Sequence, residues 1–171
     1  MSFLNPELML QTQFNSLPPD SLFLCVLIGN DSLFQLRSSL QLAQIERSNG
    51  FSNCVLPMMK SSDVSNLLTK VGFNLVTIDV EQVSLVYPTP FDLMDDLNHI
   101  GLSNSLNDRR NLNRDVLVAA DAVYRSVYSV EDGVEASFDL IYGIGWSPSD
   151  SQVKPKERGS AKISLKSLGE V

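Results

Sequence analysis

The sequence has few of the residues that build metal centres, disulfide frameworks or polyanion-binding surfaces. One histidine and two cysteines in 171 residues leave no CxxC pair and no Cys/His spacing suited to zinc. Cys25 lies inside an apolar run and reads as buried and inert, whereas Cys54 sits in a loop-like stretch; a reducing compartment fits this usage. Lys and Arg number 13 against 20 Asp and Glu, a formal charge of −7. Such a balance argues against general nucleic-acid binding, which needs surplus cations to displace counterions from phosphates. The longest apolar run, residues 22–28, falls far short of the ~20 residues of a membrane helix. The first basic residue is Arg37, so the N-terminal stretch has neither the charge of a signal peptide nor that of an Arg-rich transit peptide.

What is present suits one folded domain. Hydrophobic residues make up 43% and charged residues 19%, enough for a sizeable core and without any long biased tract. Residues 6–15 suit a short helix, ended by the Leu17-Pro18-Pro19-Asp20 turn. Residues 22–28 (Leu-Phe-Leu-Cys-Val-Leu-Ile) are continuously apolar, as in a strand buried on both faces within a parallel sheet. A helix capped by Asp31 or Ser32 should follow to about Arg47, with Leu33, Leu36, Leu40 and Ala43 inward. Residues 51–60 read as loop, and 62–71 as a helix capped by Ser62 or Asp63 and closed by Gly72.

Residues 73–87 are extended, but their parity changes. Val76, Ile78 and Val80 are even, whereas Val83, Leu85 and Tyr87 are odd, which predicts a bulge near Glu81-Gln82. Helices are expected over 91–100 and 108–128, the second with a stripe of Leu112, Val116, Ala119, Ala120, Val123 and Val127. After the Asp132-Gly133 turn, Ala136, Phe138, Leu140, Tyr142, Ile144 and Trp146 alternate with polar residues, the mark of a half-exposed antiparallel strand. The division expected is a short helix and turn over 1–20, an incomplete α/β domain over 21–147 and a polar tail over 148–171. Only two strand regions accompany residues 22–28, so that strand should lack neighbours supplied by sequence before residue 21, and an open edge beside it would be an aggregation site.

The stretch Gly29-Asn30-Asp31-Ser32-Leu33-Phe34-Gln35-Leu36-Arg37-Ser38-Ser39-Leu40-Gln41-Leu42-Ala43 resembles the Gly-Gly-Asp-Thr-Leu-x-Glu-Leu-Arg-x-Ser-Leu-Gln-Leu-Ala segment of a known family. That family is the mitochondrial complex I assembly proteins of the S-adenosylmethionine-dependent methyltransferase superfamily that hydroxylate an arginine. Gly72-Phe73-Asn74 with Thr77-Ile78-Asp79, Leu93-Met94-Asp95-Asp96-Leu97, Ala122-Val123-Tyr124-Arg125 and Ile144-Gly145-Trp146 continue the likeness in order, over roughly residues 17–170. Asn30, Ser32 and Gln35 depart from the family's Gly, Thr and Glu, and Asn30 removes a glycine at the mouth of the strand.

The resemblance implies an α/β fold, the C-terminal half of a class I methyltransferase (Rossmann-like), with a mixed sheet, an antiparallel last strand and inserted helices. It implies action on an arginine of a complex I iron–sulphur subunit or assembly intermediate, on the matrix side of the mitochondrial inner membrane and peripheral to it at most. Complete members bind S-adenosylmethionine through a Gly-rich loop and an acidic residue. Gly143-Ile144-Gly145 is the sole GxG here and lies within a strand with no helix after it; this chain by itself is not expected to bind the cofactor. The other readings are a non-catalytic interaction module and a fragment of an ordinary methyltransferase.

Four residues are candidates for substrate binding: Asn30, Asp31, Arg37 and Arg110. The first three follow the carboxyl end of a strand, where open α/β sheets bind ligands; the plain alternative is a helix cap for Asp31 and a solvated helix charge for Arg37. Arg109, Arg110 and Arg114 crowd the start of a helix, where the dipole disfavours cations, so either Asp95-Asp96 or an acidic partner should compensate them. Asp92, Asp95, Asp96 and His99 share a helix face, but the iron triad of oxygenases needs two histidines, and a solvated face is expected. Tyr142 and Trp146 read as core.

Overall fold

The computed structural model describes residues 5–50, 52–103 and 112–160. Its elements run α1 (Pro6–Ser16), β1 (Leu22–Gly29), α2 (Phe34–Ser48), α3 (Ser61–Val71), β2 (Asn74–Tyr87), α4 (Pro90–His99), α5 (Arg114–Tyr128), β3 (Ser129–Val130) and β4 (Gly133–Trp146). The sheet order is β1-β4-β2, with β3 against β4. Every ladder is antiparallel, so β1 and β2 run the same way on either side of a reversed β4. The α/β class and the antiparallel last strand are as the sequence predicts.

Helices cover the sheet on opposite faces at its two ends. Near Trp146, the face carrying Phe23, Leu27, Val76, Ile78 and Ile141 packs beneath α1 and α3 with Leu10, Val64, Leu68 and Phe73. Near Gly133, the other face, carrying Tyr87, Val134, Ala136 and Phe138, packs against α2, α4 and α5 through Leu36, Leu40, Leu93, Val116 and Tyr124. This split explains the parity change in β2 without a bulge at residues 81–82. The register is regular from Thr77 to Tyr87, and the irregularity lies between Asn74 and Thr77, where Leu75 takes a positive φ of 53°. The same split revises β4: its even residues are core only near Gly133, and beyond Asp139 the odd ones, Ile141, Gly143 and Gly145, are buried.

Strand β1 departs from the doubly buried strand its composition suggests. It is an edge strand among the described residues, and Leu22, Leu24 and Val26 are 49%, 59% and 52% exposed. Tyr142 and Trp146, expected as core, are half-buried on this same uncovered face. On α5, Val127 points to solvent, and Tyr124, whose hydroxyl donates to the Glu135 carbonyl at 2.8 Å, is buried in its place.

Candidate functional site

Where β1 ends, the chain makes a turn that is stitched to β4. Leu33 N–H donates to the Ser137 carbonyl at 2.8 Å, carrying the ladder past the last β1 residue. Ser32 Oγ donates to the Gly29 carbonyl at 2.6 Å and receives Asp139 N–H at 2.8 Å. Gln35, one helical position inward, donates to Ser137 Oγ at 2.7 Å and accepts from Ser137 N–H at 3.2 Å. Ser32, Gln35 and Ser137 are buried, so these paired polar groups hold the turn in one geometry. Neither Asp31 nor Ser32 caps α2 as expected: the N-cap is Leu33, at φ 59°, and it has no side-chain cap. The sheet has recruited the Ser32 hydroxyl instead.

Asn30 is the tertiary cap of the next helix. Its backbone is left-handed, φ 49°, a region that Asn enters more readily than other side chains, which is why it can replace the family's glycine. Its Oδ1 accepts from Ser61 N–H at 3.0 Å, and its own N–H donates to Met59 O at 2.8 Å. Helix α3 begins after Lys60 with no side-chain cap of its own, so Asn30 supplies what Ser62 and Asp63 were expected to supply.

These contacts frame a pocket of about 460 Å³ lined by Asn30, Asp31, Arg37, Asn53, Val55, Pro57, Met58, Lys60 and Asp139. Three of the four sequence candidates therefore meet at one place. Arg110 lies outside the described residues. Arg37 is half-buried and reaches the Ser32 carbonyl with Nη2 at 3.4 Å. Asp31 N–H approaches Asp139 Oδ2 at 3.4 Å. Among the described residues none of Asp31, Arg37, Lys60 and Asp139 makes an ion pair. Two carboxylates and two cations thus line one cavity without an ion pair among the described residues, an arrangement suited to a guest that carries both a cationic group and polar acceptors.

Sequence reasoning missed Asp139, Lys60 and the 52–60 wall. Asp139 stands opposite Gly29 in the ladder, a position visible only once the register is known. The wall is held by buried Gln44, which accepts from Ser52 N–H at 2.8 Å and donates to Cys54 Sγ at 3.1 Å.

The remaining candidates separate from the pocket. Thr89 caps α4, with Asp92 N–H donating to its Oγ1 and its hydroxyl donating to Asp92 Oδ2 at 2.7 Å. His99 Nδ1 meets the Asp95 carbonyl at 2.8 Å. Tyr87 is pushed up by burial and by its bond to Asp96. No cluster among the described residues suits a metal ion. Arg114 is exposed and forms no ion pair among the described residues; Arg109 and Arg110, the other members of that basic group, lie outside them. Burial pushes the Cys25 thiol up, partly offset by a backbone hydrogen bond at Gly143, which keeps it a weak nucleophile.

The glycines of Gly143-Ile144-Gly145 serve packing. A Cβ on Gly143 would lie 2.8 Å from Cys25 Sγ, and one on Gly145 would lie 2.9 Å from Phe73 Cβ. Both sit within β4, Gly143 paired with β1 and β2 and Gly145 with β1, so they do not fit a nucleoside-binding loop.

No family model matches the chain. In sequence it is similar to methyltransferases: it is 27% identical over 156 residues to a malonyl-[acyl-carrier protein] O-methyltransferase of Xylella fastidiosa, covering 90% of this chain and 51% of that one. A solved Bacillus halodurans structure, assigned as a methyltransferase, overlays at a TM-score of 0.46 and 16% identity, over 86% of this chain and 65% of that one. The chain is homologous to the mitochondrial arginine-hydroxylase NDUFAF5, at 43% identity over 157 residues for the Danio rerio protein and 44% over 157 residues for the Homo sapiens one. It spans about half the length of these relatives, 49% and 46% respectively, while the matches take in 91% of its own residues.

Proposed function

We propose that the chain is the substrate-side half of an arginine hydroxylase of methyltransferase ancestry that acts in the assembly of mitochondrial respiratory complex I. The observation that carries this reading is the pocket: Asn30, Asp31 and Arg37, drawn from the stretch where the family likeness is densest, line one cavity with Asp139. An arginine side chain brings a planar, permanently charged guanidinium with five donors, and paired carboxylates are its natural receptors. Asp31 and Asp139 supply them. Arg37 and Lys60 are then placed to hold carbonyls or an acidic neighbour on the polypeptide that carries the arginine. By resemblance that polypeptide is an iron–sulphur subunit of complex I, met on the matrix side of the inner membrane.

S-adenosylmethionine, when bound by complete relatives, supplies the cofactor chemistry of the family. The described residues of this chain do not fit its loop, and the pocket is assigned binding and orientation only. A non-catalytic interaction module is the second reading, favoured by that same lack of fit.

The test is a chimera in which this chain replaces the matching residues of the human relative, read by mass spectrometry of the target arginine and by assembled complex I. Modification at the level of the human protein is expected. Arg37→Lys in the chimera should lower it by ~10-fold or more, because an ammonium cannot reproduce a fork-like contact, with stability changed by no more than ~0.5 kcal/mol. Normal assembly without modification would select the interaction module.

A further inference from the structure

Lys60 stands at the pocket with its backbone gripped from both sides by a single residue. Asn30 N–H donates to the carbonyl of Met59, the residue before Lys60, at 2.8 Å. Asn30 Oδ1 accepts from the N–H of Ser61, the residue after it, at 3.0 Å. The approach is close: a Cβ on Gly29 would lie 2.7 Å from the Met59 carbonyl oxygen, so a side chain there would push this segment off the strand end. The Lys60 carbonyl in turn accepts from Asp63 N–H and Val64 N–H at 3.0 and 3.1 Å, which ties it to α3. The root of the Lys60 side chain is therefore fixed relative to Asp31, the neighbour of Asn30.

The four ionised side chains that line the pocket, Asp31, Asp139, Arg37 and Lys60, cancel in charge. A guanidinium entering by itself leaves the cavity with one excess positive charge, whereas a guanidinium accompanied by a carboxylate leaves none. The two cations are not equivalent. Arg37 is half-buried and reaches the Ser32 carbonyl at 3.4 Å, whereas Lys60 is exposed and makes no ion pair among the described residues. Lys60 is thus the cation better placed to meet an acid at the mouth. The chain as a whole carries −7 and repels acidic peptides in general, so an acid is admitted here only in the company of a cation.

We infer that Lys60, set in place by Asn30, is a specificity-determining residue, and that the site prefers an arginine with an acidic residue beside it in its polypeptide. This rests on the arginine-binding reading of the pocket. It commits Asp31 and Asp139 to the arginine and Lys60 to the side chain next to it.

The probes are three fluorescent pentapeptides, Ala-Glu-Arg-Glu-Ala, Ala-Ala-Arg-Ala-Ala and Ala-Lys-Arg-Lys-Ala, with Ala-Glu-Ala-Glu-Ala as the control without arginine. Binding to the full chain and to the chimera with the human relative is read by fluorescence anisotropy. The Glu-flanked arginine peptide is expected to bind about 5-fold more tightly than the Ala-flanked one, the scale of an exposed ion pair. Lys60→Glu should invert the order and favour the Lys-flanked peptide by about the same factor. Ratios within one variant cancel the general pull of its charge on the arginine. Lys60 is exposed, so circular dichroism of this variant should match the parent. Asn30→Gly keeps the backbone bond to Met59 and loses the one to Ser61, and should reduce the preference to ~2-fold or less while the Ala-flanked peptide binds as before. Equal binding of the Glu- and Ala-flanked peptides, or an order unchanged by Lys60→Glu, would overturn the inference and leave the arginine reading standing. So would binding of the arginine-free control as tight as that of the Glu-flanked peptide. A preference untouched by Asn30→Gly would overturn the part given to Asn30. Failure of every arginine peptide to bind, in chain and chimera alike, would instead sink the arginine reading and this inference with it.

Discussion

The two ends of the sheet use the same strands in opposite ways. Near Gly133, β4 turns Val134, Ala136 and Phe138 toward three helices, and the layer beyond them reaches across Leu40, Leu93 and Tyr124. Near Trp146, β4 turns Ile141, Gly143 and Gly145 the other way, toward α3 and α1, and the cluster there is smaller among the described residues, with Leu10, Val64, Leu68, Phe73 and Ile141 buried. The first end is closed by its own helices. The second keeps an apolar face in solvent, with β1 as its rim. Burial in this chain is therefore a property of place along the strand as well as of side-chain parity.

The comparison is sharpest in matched truncations. Leu93 and Leu68 are both fully buried, and leucine-to-alanine changes at such sites cost about 2–5 kcal/mol, more where the surroundings cannot collapse. Leu93→Ala, enclosed by helices, should fall at the upper end of that range. Leu68→Ala, beside the half-open β1, should fall near the lower end. Urea unfolding of both measures the difference, and equal losses would break the distinction between the two ends.

Next in size is the seam between them. Gln35→Leu should cost about 1–3 kcal/mol, because it strands the buried Ser137 N–H and hydroxyl without their partners, again read by urea midpoint. A silent substitution would mean that the β1–α2 turn is not held by this pair.

Alkaline titration touches both ends. Burial raises Cys25 from its ordinary 9.0 and Tyr124 well above its ordinary 10.0. Each neutral form is thus favoured in the folded state, the unfolded chain loses its proton first, and stability should hold below about pH 9 and fall as pH rises beyond it. Thermal midpoints against pH check this. Tyr124→Phe should cost about 1 kcal/mol at neutral pH for the lost bond to Glu135 and should flatten the alkaline decline. The smallest effect is expected at the open face, where Leu24→Lys in the chain by itself should change stability by no more than ~0.5 kcal/mol; a larger loss would show that the face is covered.

Much of the local structure was legible from residues. The apolar run of β1, the Leu33-Leu36-Leu40-Ala43 stripe of α2, Gly72 after α3 and the alternation in β4 all carry their periods in the sequence, because each element must present one face to a core. So was the neighbourhood of the site: Asn30, Asp31 and Arg37 follow a strand end, and the family likeness concentrates there. The pocket's other half was not legible. Asp139 and Lys60 lie far along the chain and look like ordinary surface charges until the ladder sets Asp139 across from Gly29.

Sequence by itself determined which segments are helix or strand and that the chain is acidic, since these rest on local periodicity and composition; Cys25, read as buried, is only half-buried. Tertiary structure decided what parity could not: that one strand buries even residues at one end and odd residues at the other. It also decided that Asn30 caps α3 rather than merely ending β1, and that the Ser32 hydroxyl serves β4 rather than α2. The physical reason is that a side chain's face follows from its own strand, whereas what covers that face depends on where distant helices pack. The capping bonds depend likewise on which backbone groups the fold leaves unpaired.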